Sequence, residues 1–164
     1  MPKMSAGLLP YSRRDGRLEV FLVHPGPFWV NKDAHAWSVA KGEVEPDEDL
    51  LHAAHREFSE ETGLKLAGRT IPLAPIRQAS GKLFHVWAIE AEIDPFVVQS
   101  NSFPLEWPPR SGHSRQFPEV DRAAWFDLAE ARGKIHKGQV GFLDDLQGRL
   151  DGERGSELGL IPLP

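Results

Sequence analysis

The apolar positions of the chain fall into short runs separated by turn residues. Residues 6–11 form one such run, and the polar Ser12-Arg13-Arg14-Asp15-Gly16 follows it. Residues 18–24 are again apolar and β-branched. An Asp-Gly pair between two such runs predicts a β-hairpin, because both residues tolerate the positive φ of a tight turn. Pro25-Gly26-Pro27 ends the second strand. Residues 28–35 read as a loop with two aromatics, and residues 37–39 as a short strand. Residues 41–48 read as an acidic turn. Asp49 then caps a helix over residues 50–62, and Gly63 supplies its left-handed stop.

In the second half, residues 71–79 and 82–93 predict two strands joined at Ser80-Gly81. Residues 94–118 contain several prolines and little periodicity. They read as a long loop, of the kind that often carries function. Residues 123–126 predict a last strand, and residues 128–134 and 140–150 two helices. Leu143, Leu146 and Leu150 recur there at helical spacing. Residues 1–151 form one domain, with no internal repeat. Residues 152–164 form a Gly-rich tail, either mobile or docked through Leu158, Leu160, Ile161 and Leu163.

Composition narrows the function classes. A chain of 164 residues suits one core. A formal net charge of -5 speaks against extended nucleic-acid binding, which would need a basic surface. With no cysteine, disulfides and thiolate metal sites are excluded. The amino terminus lacks a signal-peptide layout, and no segment approaches the ~20 apolar residues needed to span a bilayer. The expectation is a cytoplasmic protein without membrane contact, monomeric or homodimeric.

The candidate chemistry lies in residues 42–64. Glu57, Glu60 and Glu61 are related by steps of three and four residues, so they share one face of the expected helix. Three ionised carboxylates so close repel one another. A hard divalent cation among them makes the arrangement favourable, since Mg²⁺ takes oxygen ligands and shares its sphere with waters and phosphates. Arg56 and Lys41 offset part of the acidity. Leu51, Ala54 and Phe58 form the adjacent apolar stripe that anchors the helix. A merely solvated acidic face would not need Gly42 and Gly63 at fixed distances, and would more often alternate Glu with Lys.

Gly42, Glu48, Arg56, Glu57, Phe58, Glu60, Glu61, Gly63 and Leu64 fill every position of a pattern that resembles the Nudix box. Phe58 departs slightly, standing where that family usually has an aliphatic residue. The resemblance implies an α/β fold, an α/β/α sandwich around a mixed β-sheet. It implies a pyrophosphohydrolase that cuts a phosphoanhydride bond in a nucleoside-diphosphate-linked substrate with Mg²⁺, or Mn²⁺. Glu57, Glu60 and Glu61 become the metal ligands, with the Gly42 carbonyl. Arg56 orients Glu57 or Glu60, Glu48 supports them, and Glu60 or Glu61 can serve as general base. Some relatives use a Glu from a later loop, for which Glu119 is the first candidate and Glu106 the second. Nucleoside triphosphates and dinucleoside polyphosphates are the leading substrates. Nucleotide sugars, or a non-catalytic nucleotide sensor of the same fold, are the alternatives.

Substrate grip needs cations and flat apolar surfaces. Lys41, directly ahead of the box, leads the candidates for phosphate, followed by Arg77 and Lys82 on the predicted strands; Lys32, Arg110 and Arg115 are weaker. Trp29, with Phe28, Trp37 and Trp107, is placed to stack on a base. Trp87 and Trp125 read as core, and His52 and His55 as solvated helix positions.

Overall fold

Asp15 and Gly16, at φ 51° and 77°, turn the chain between β1 (Met4–Arg14) and β2 (Arg17–Pro25), as the Asp-Gly pair predicts. The computed structural model describes residues 3–27, 29 and 31–157, with side chains through Glu153. Along the chain there follow β3 (Ala40–Glu43), α1 (Leu50–Thr62), β4 (Thr70–Pro72), β5 (Ile76–Arg77) and β6 (Leu83–Glu90). Then come β7 (Ser102–Glu106), β8 (Ser114–Pro118), β9 (Val120–Asp127), α2 (Leu128–Lys134) and α3 (Val140–Glu157).

Among the described residues, seven strands make one sheet in the order β4-β6-β1-β2-β9, with β3 beside β1 and β5 beside β6. β1 runs parallel to β6 and antiparallel to β2 and β3, so the sheet is mixed. One edge of β1 serves two partners: residues 11–14 pair with β2, and residues 5–8 with β3. Gly7 permits the second pairing, because a Cβ there would lie 2.6 Å from the Ala40 carbonyl oxygen.

Side chains alternate across this sheet, and both faces are covered. Ala6, Leu8, Phe21, Val23 and Ile89 face Ala53, Ala54 and Phe58 of α1. Leu9, Tyr11, Val20, Leu22, Phe84 and Val86 face Ala131 of α2 and Phe142, Leu143, Leu146 and Leu150 of α3. Each large side chain so buried contributes roughly 1.5–3 kcal/mol. The result is the expected α/β/α sandwich. Phe58 fits its place as a ring, 1 % exposed and tilted against Phe21 at 6.3 Å.

The structure corrects four local expectations. The strand sought at residues 37–39 is β3, three residues later, and it contains Lys41 and Gly42, which the sequence puts in a turn; Trp37 and Ser38 make only isolated bridges. The strand over residues 71–79 is split into β4 and β5, since Pro72 and Pro75 have no N–H to give the ladder. Residues 94–118 are not a loop throughout: β7 and β8 form a separate two-stranded sheet. Finally, α3 continues past residue 151 to Glu157, while residues 158–164, with their four apolar side chains, lie outside the described residues. No described helix is long and apolar enough to cross a membrane.

Candidate active site

Helix α1 begins and ends where the sequence places its caps. The Asp49 carboxylate accepts a hydrogen bond from the His52 N–H at 3.1 Å, and Gly63, at φ 75°, donates its N–H to the Ser59 carbonyl at 2.7 Å. Burial of Ala53, Ala54, Phe58 and Thr62 fixes the helix's rotation on the sheet. Arg56, Glu57, Glu60 and Glu61 consequently occupy the flank that adjoins β3.

Glu57 lies directly over Gly42. A Cβ built on Gly42 would fall 2.0 Å from the Glu57 carboxyl carbon, so the carboxylate fills the space any side chain would take. Gly42 is therefore required for close approach. Arg56 holds the acids together. Its Nε donates to Glu48 Oε2 at 2.7 Å and its Nη2 to Glu48 Oε1 at 2.8 Å, a bidentate pair. Its Nη1 donates to Glu57 Oε1 at 2.8 Å and reaches Glu60 at 3.3 Å, and Nη2 also binds the Glu43 carbonyl. Glu61 accepts a hydrogen bond from the Lys41 backbone N–H at 3.2 Å.

These contacts divide the carboxylates electrostatically. The Arg56 guanidinium, aided by the Glu45 N–H, pulls the Glu48 carboxyl down to about 2, and Arg56 is itself raised by Glu48. Burial raises Glu57, with Arg56 opposing and Glu60 adding to the rise. Burial pushes Glu61 up to about 8 despite the Lys41 charge and N–H; Glu57 and Glu119 push in the same direction.

Glu119 thus lies within the field of both Glu57 and Glu61, although 58 or more residues separate them in sequence. A chain of backbone hydrogen bonds brings it there. Gln99 N–H donates to the Thr62 carbonyl, Asn101 N–H to the Glu60 carbonyl at 2.9 Å, and Glu119 N–H to the Asn101 carbonyl at 2.9 Å. Gly26 N–H then donates to the Glu119 carbonyl at 3.2 Å. The last turn of α1, the start of the β7–β8 hairpin, Glu119 and the end of β2 are so held in one row.

The donors are all carboxylate oxygens, which suit a hard divalent cation: Glu57 lies over Gly42, Glu60 shares its Arg56, and Glu61 is bonded to the Lys41 N–H. Among the described residues, no three His, Cys, Asp or Glu side chains close into a group of metal-holding geometry; Arg56 is the partner of Glu57, and the Lys41 N–H that of Glu61. Such a site matches a cation that takes one or two protein carboxylates and fills its sphere with water and phosphate, as Mg²⁺ does.

Comparison with known proteins agrees with this geometry. The sequence model of the NUDIX domain matches residues 1–146. The chain belongs to the NUDIX family. Among solved structures, the NUDIX domain of Shewanella oneidensis NrtR complexed with ADP ribose superposes with a TM-score of 0.62 at 16 % identity. That match covers 92 % of this chain and 89 % of the other. The Ap4A hydrolase of C. elegans gives 0.62 at 18 % identity, covering 90 % and 98 %. A Nudix hydrolase from Listeria monocytogenes gives 0.63 at 17 %, covering 92 % and 95 %. At these identities the superpositions speak to the fold. A curated octanoyltransferase from Myxococcus xanthus is 32 % identical over 99 residues, which is 60 % of this chain. The matched stretch spans only 25 % of that longer protein.

The remaining candidates of this Nudix chain are distributed unevenly. Lys41 is half-buried beside Glu61. Lys82 Nζ is ion-paired with Glu43 at 3.1 Å, near the box. Arg77 donates to the Gly81 carbonyl of its own turn at 3.0 Å. Trp29 is exposed, in the loop after β2. Glu106 is at the far end of β7, opposite Ser114 and away from the end that carries Glu119. Trp37 is corrected: it is 5 % exposed, bonded to Asp33 and set edge-on to Phe126, so its face serves the core. Phe28 lies outside the described residues. Sequence reasoning passed over Leu105 and Phe117, which with Trp107 line a cavity beside Glu119. The spacing of Phe103 and Leu105 was the one signal for a strand there, and two residues of alternation are too few to read.

Proposed function

We propose that this enzyme hydrolyses a phosphoanhydride bond in a nucleoside-diphosphate-linked substrate, either a nucleoside triphosphate or a dinucleoside polyphosphate, with Mg²⁺ or Mn²⁺ as cofactor. The observation that carries the reading is the Glu57 carboxylate seated on Gly42 and fixed by Arg56, within the field of Glu60 and Glu119. One or two carboxylates drawn from Glu57, Glu60 and Glu61, with the Gly42 carbonyl, would hold the cation. Bound there, it would neutralise the diphosphate and lower the pKa of a water.

The chain's own groups then have separate tasks. Arg56 keeps Glu57 and Glu60 aimed at one point and is itself locked by Glu48. Glu119, exposed and backbone-anchored, accepts the proton of the attacking water; Glu61 is the second candidate for that task. Lys41 supplies positive charge beside the box. Lys82 and Arg77 reach phosphate by leaving Glu43 and Gly81, and Trp29 offers a face to the rest of the substrate. The neighbours that bind ADP ribose or are named for Ap4A support a nucleotide substrate. The same reading puts the protein in the cytoplasm as a monomer or homodimer, which sedimentation of the purified chain separates.

The test is a panel of nucleoside triphosphates, dinucleoside polyphosphates and nucleotide sugars with Mg²⁺ or Mn²⁺, products resolved by chromatography. Turnover that disappears with the cation and in folded Glu61→Gln supports the reading. A wild type that releases neither phosphate nor nucleotide from any member overturns it, and binding without turnover would mark a sensor.

A further inference from the structure

We infer that the cavity beneath the β7–β8 hairpin receives the base of the substrate nucleotide and favours a purine. The inference rests on the reading just given and names the part of the substrate that reading leaves open. The cavity holds about 390 Å³, and Pro27, Leu105, Trp107, Phe117, Pro118 and Asp121 line it. Two of its walls are aromatic rings, with Trp107 edge-on to Phe117 at 6.2 Å and 81°. Trp107 remains 42 % exposed, an indole for which the folded chain alone provides only partial cover. Arg115 sits over the Phe117 ring, its guanidinium carbon 5.5 Å from the centroid, and stiffens that wall.

Position identifies the occupant. Pro118 is a wall of the cavity, and the next residue, Glu119, bears the charge felt by Glu57 and Glu61. Gly26, another wall, donates its N–H to the Glu119 carbonyl at 3.2 Å, so the apolar cavity adjoins the segment that carries this acid. A ligand spanning both must be flat and apolar at one end and carry phosphate at the other, which describes a nucleotide. Peptides or lipids would fill the apolar part without reason to meet the carboxylates. Stacking against rings tolerates any base, but two fused rings remove more apolar surface from water than one. The hairpin is also joined to the chemistry mechanically: its flanks, Asn101 and Glu119, are bonded to each other, and Asn101 to the last turn of α1.

The experiment compares purine and pyrimidine members of whichever phosphoanhydride class the wild type cleaves, in the wild type and in Trp107→Ala, Trp107→Phe and Phe117→Ala. The purine substrate is expected to have a severalfold lower KM. Each alanine variant should raise that KM about tenfold, the rise falling on KM rather than kcat, and Trp107→Phe should recover most of it. Circular dichroism and the melting midpoint identify a variant whose hairpin has failed to fold. Binding of an α,β-methylene purine nucleotide in Mg²⁺, read as quenching of tryptophan fluorescence, reports the cavity without turnover; the quench should shrink in Trp107→Phe. Turnover by the wild type with equal KM for both base types, or unaffected by both alanine variants, overturns the inference and leaves the hydrolase reading standing. No turnover of any phosphoanhydride overturns the hydrolase reading instead.

Discussion

The box segment and the β7–β8 hairpin are joined by backbone hydrogen bonds through Asn101 and are built by opposite rules. In the box, Arg56 alone contacts Glu48, Glu57, Glu60 and the Glu43 carbonyl, and α1 is seated on the sheet through Ala53, Ala54 and Phe58. The hairpin is a separate two-stranded sheet: β7 alternates exposed and half-buried residues, β8 is exposed except at Phe117, and no residue of either is fully buried. Two-stranded ribbons are marginal by themselves, so this one depends on its flanks and on whatever fills its cavity. Acid chemistry needs carboxylates held to a fraction of an ångström, and a packed helix provides that. Substrate choice tolerates an adaptable wall.

The sharpest break of this contrast is Gly42→Ala. The new methyl displaces Glu57, and activity should fall by at least ~100-fold, the scale of losing a group that orients catalysis. Far-UV circular dichroism should be retained. Activity within a fewfold of wild type would show that Glu57 need not sit on Gly42. Next in size is Glu48→Gln, which removes the charge that locks Arg56. Cation affinity, measured by titrating Mn²⁺ against turnover, should weaken by about 10-fold or more.

Gly63→Ala tests the connection between the two regions. It forces a side chain into φ 75° and brings a Cβ 2.8 Å from the Gln99 carbonyl oxygen, in the segment that leads to the hairpin. A loss of about 1–2 kcal/mol in urea unfolding is expected, with a fall in turnover as Glu119 shifts. Unchanged turnover in a destabilised protein would uncouple them.

Acid stability sharpens the comparison further. Glu48 has its ordinary value, 4.5, in the unfolded chain and about 2 in the fold. A lowered folded value means the Arg56 pair stabilises fully above pH 4.5 and is lost as pH falls toward 2. The drop in melting midpoint across that window should be shallower in Glu48→Gln. The smallest effect concerns motion: amides of residues 102–118 should exchange faster than those of α1, and a bound purine nucleotide should slow them. Equal protection in the two regions would remove the distinction.

Much of the box was legible because its signals are local. Asp49 and Gly63 set the helix ends, and three- and four-residue steps put Glu57, Glu60 and Glu61 together. The hairpin was not legible. Pro104, Pro108 and Pro109 interrupt its periodicity, and Leu105 meets Arg115 only by folding back. Trp37 and Trp107 had equal standing as loop aromatics, and contacts more than eighty residues distant decided that one belongs to the core.

By itself, then, the sequence determined the Asp-Gly hairpin and the capped helix with its acidic flank, both of which follow from spacings shorter than one element, and it carried the box pattern of the family to which the chain belongs. Tertiary structure alone decided that Glu57 rests on Gly42, that Glu119 joins the acids and that Trp107, Phe117 and Leu105 share a cavity. Those outcomes depend on which strand edges meet and which backbones approach closely, and such pairings between distant residues leave no periodicity in the chain.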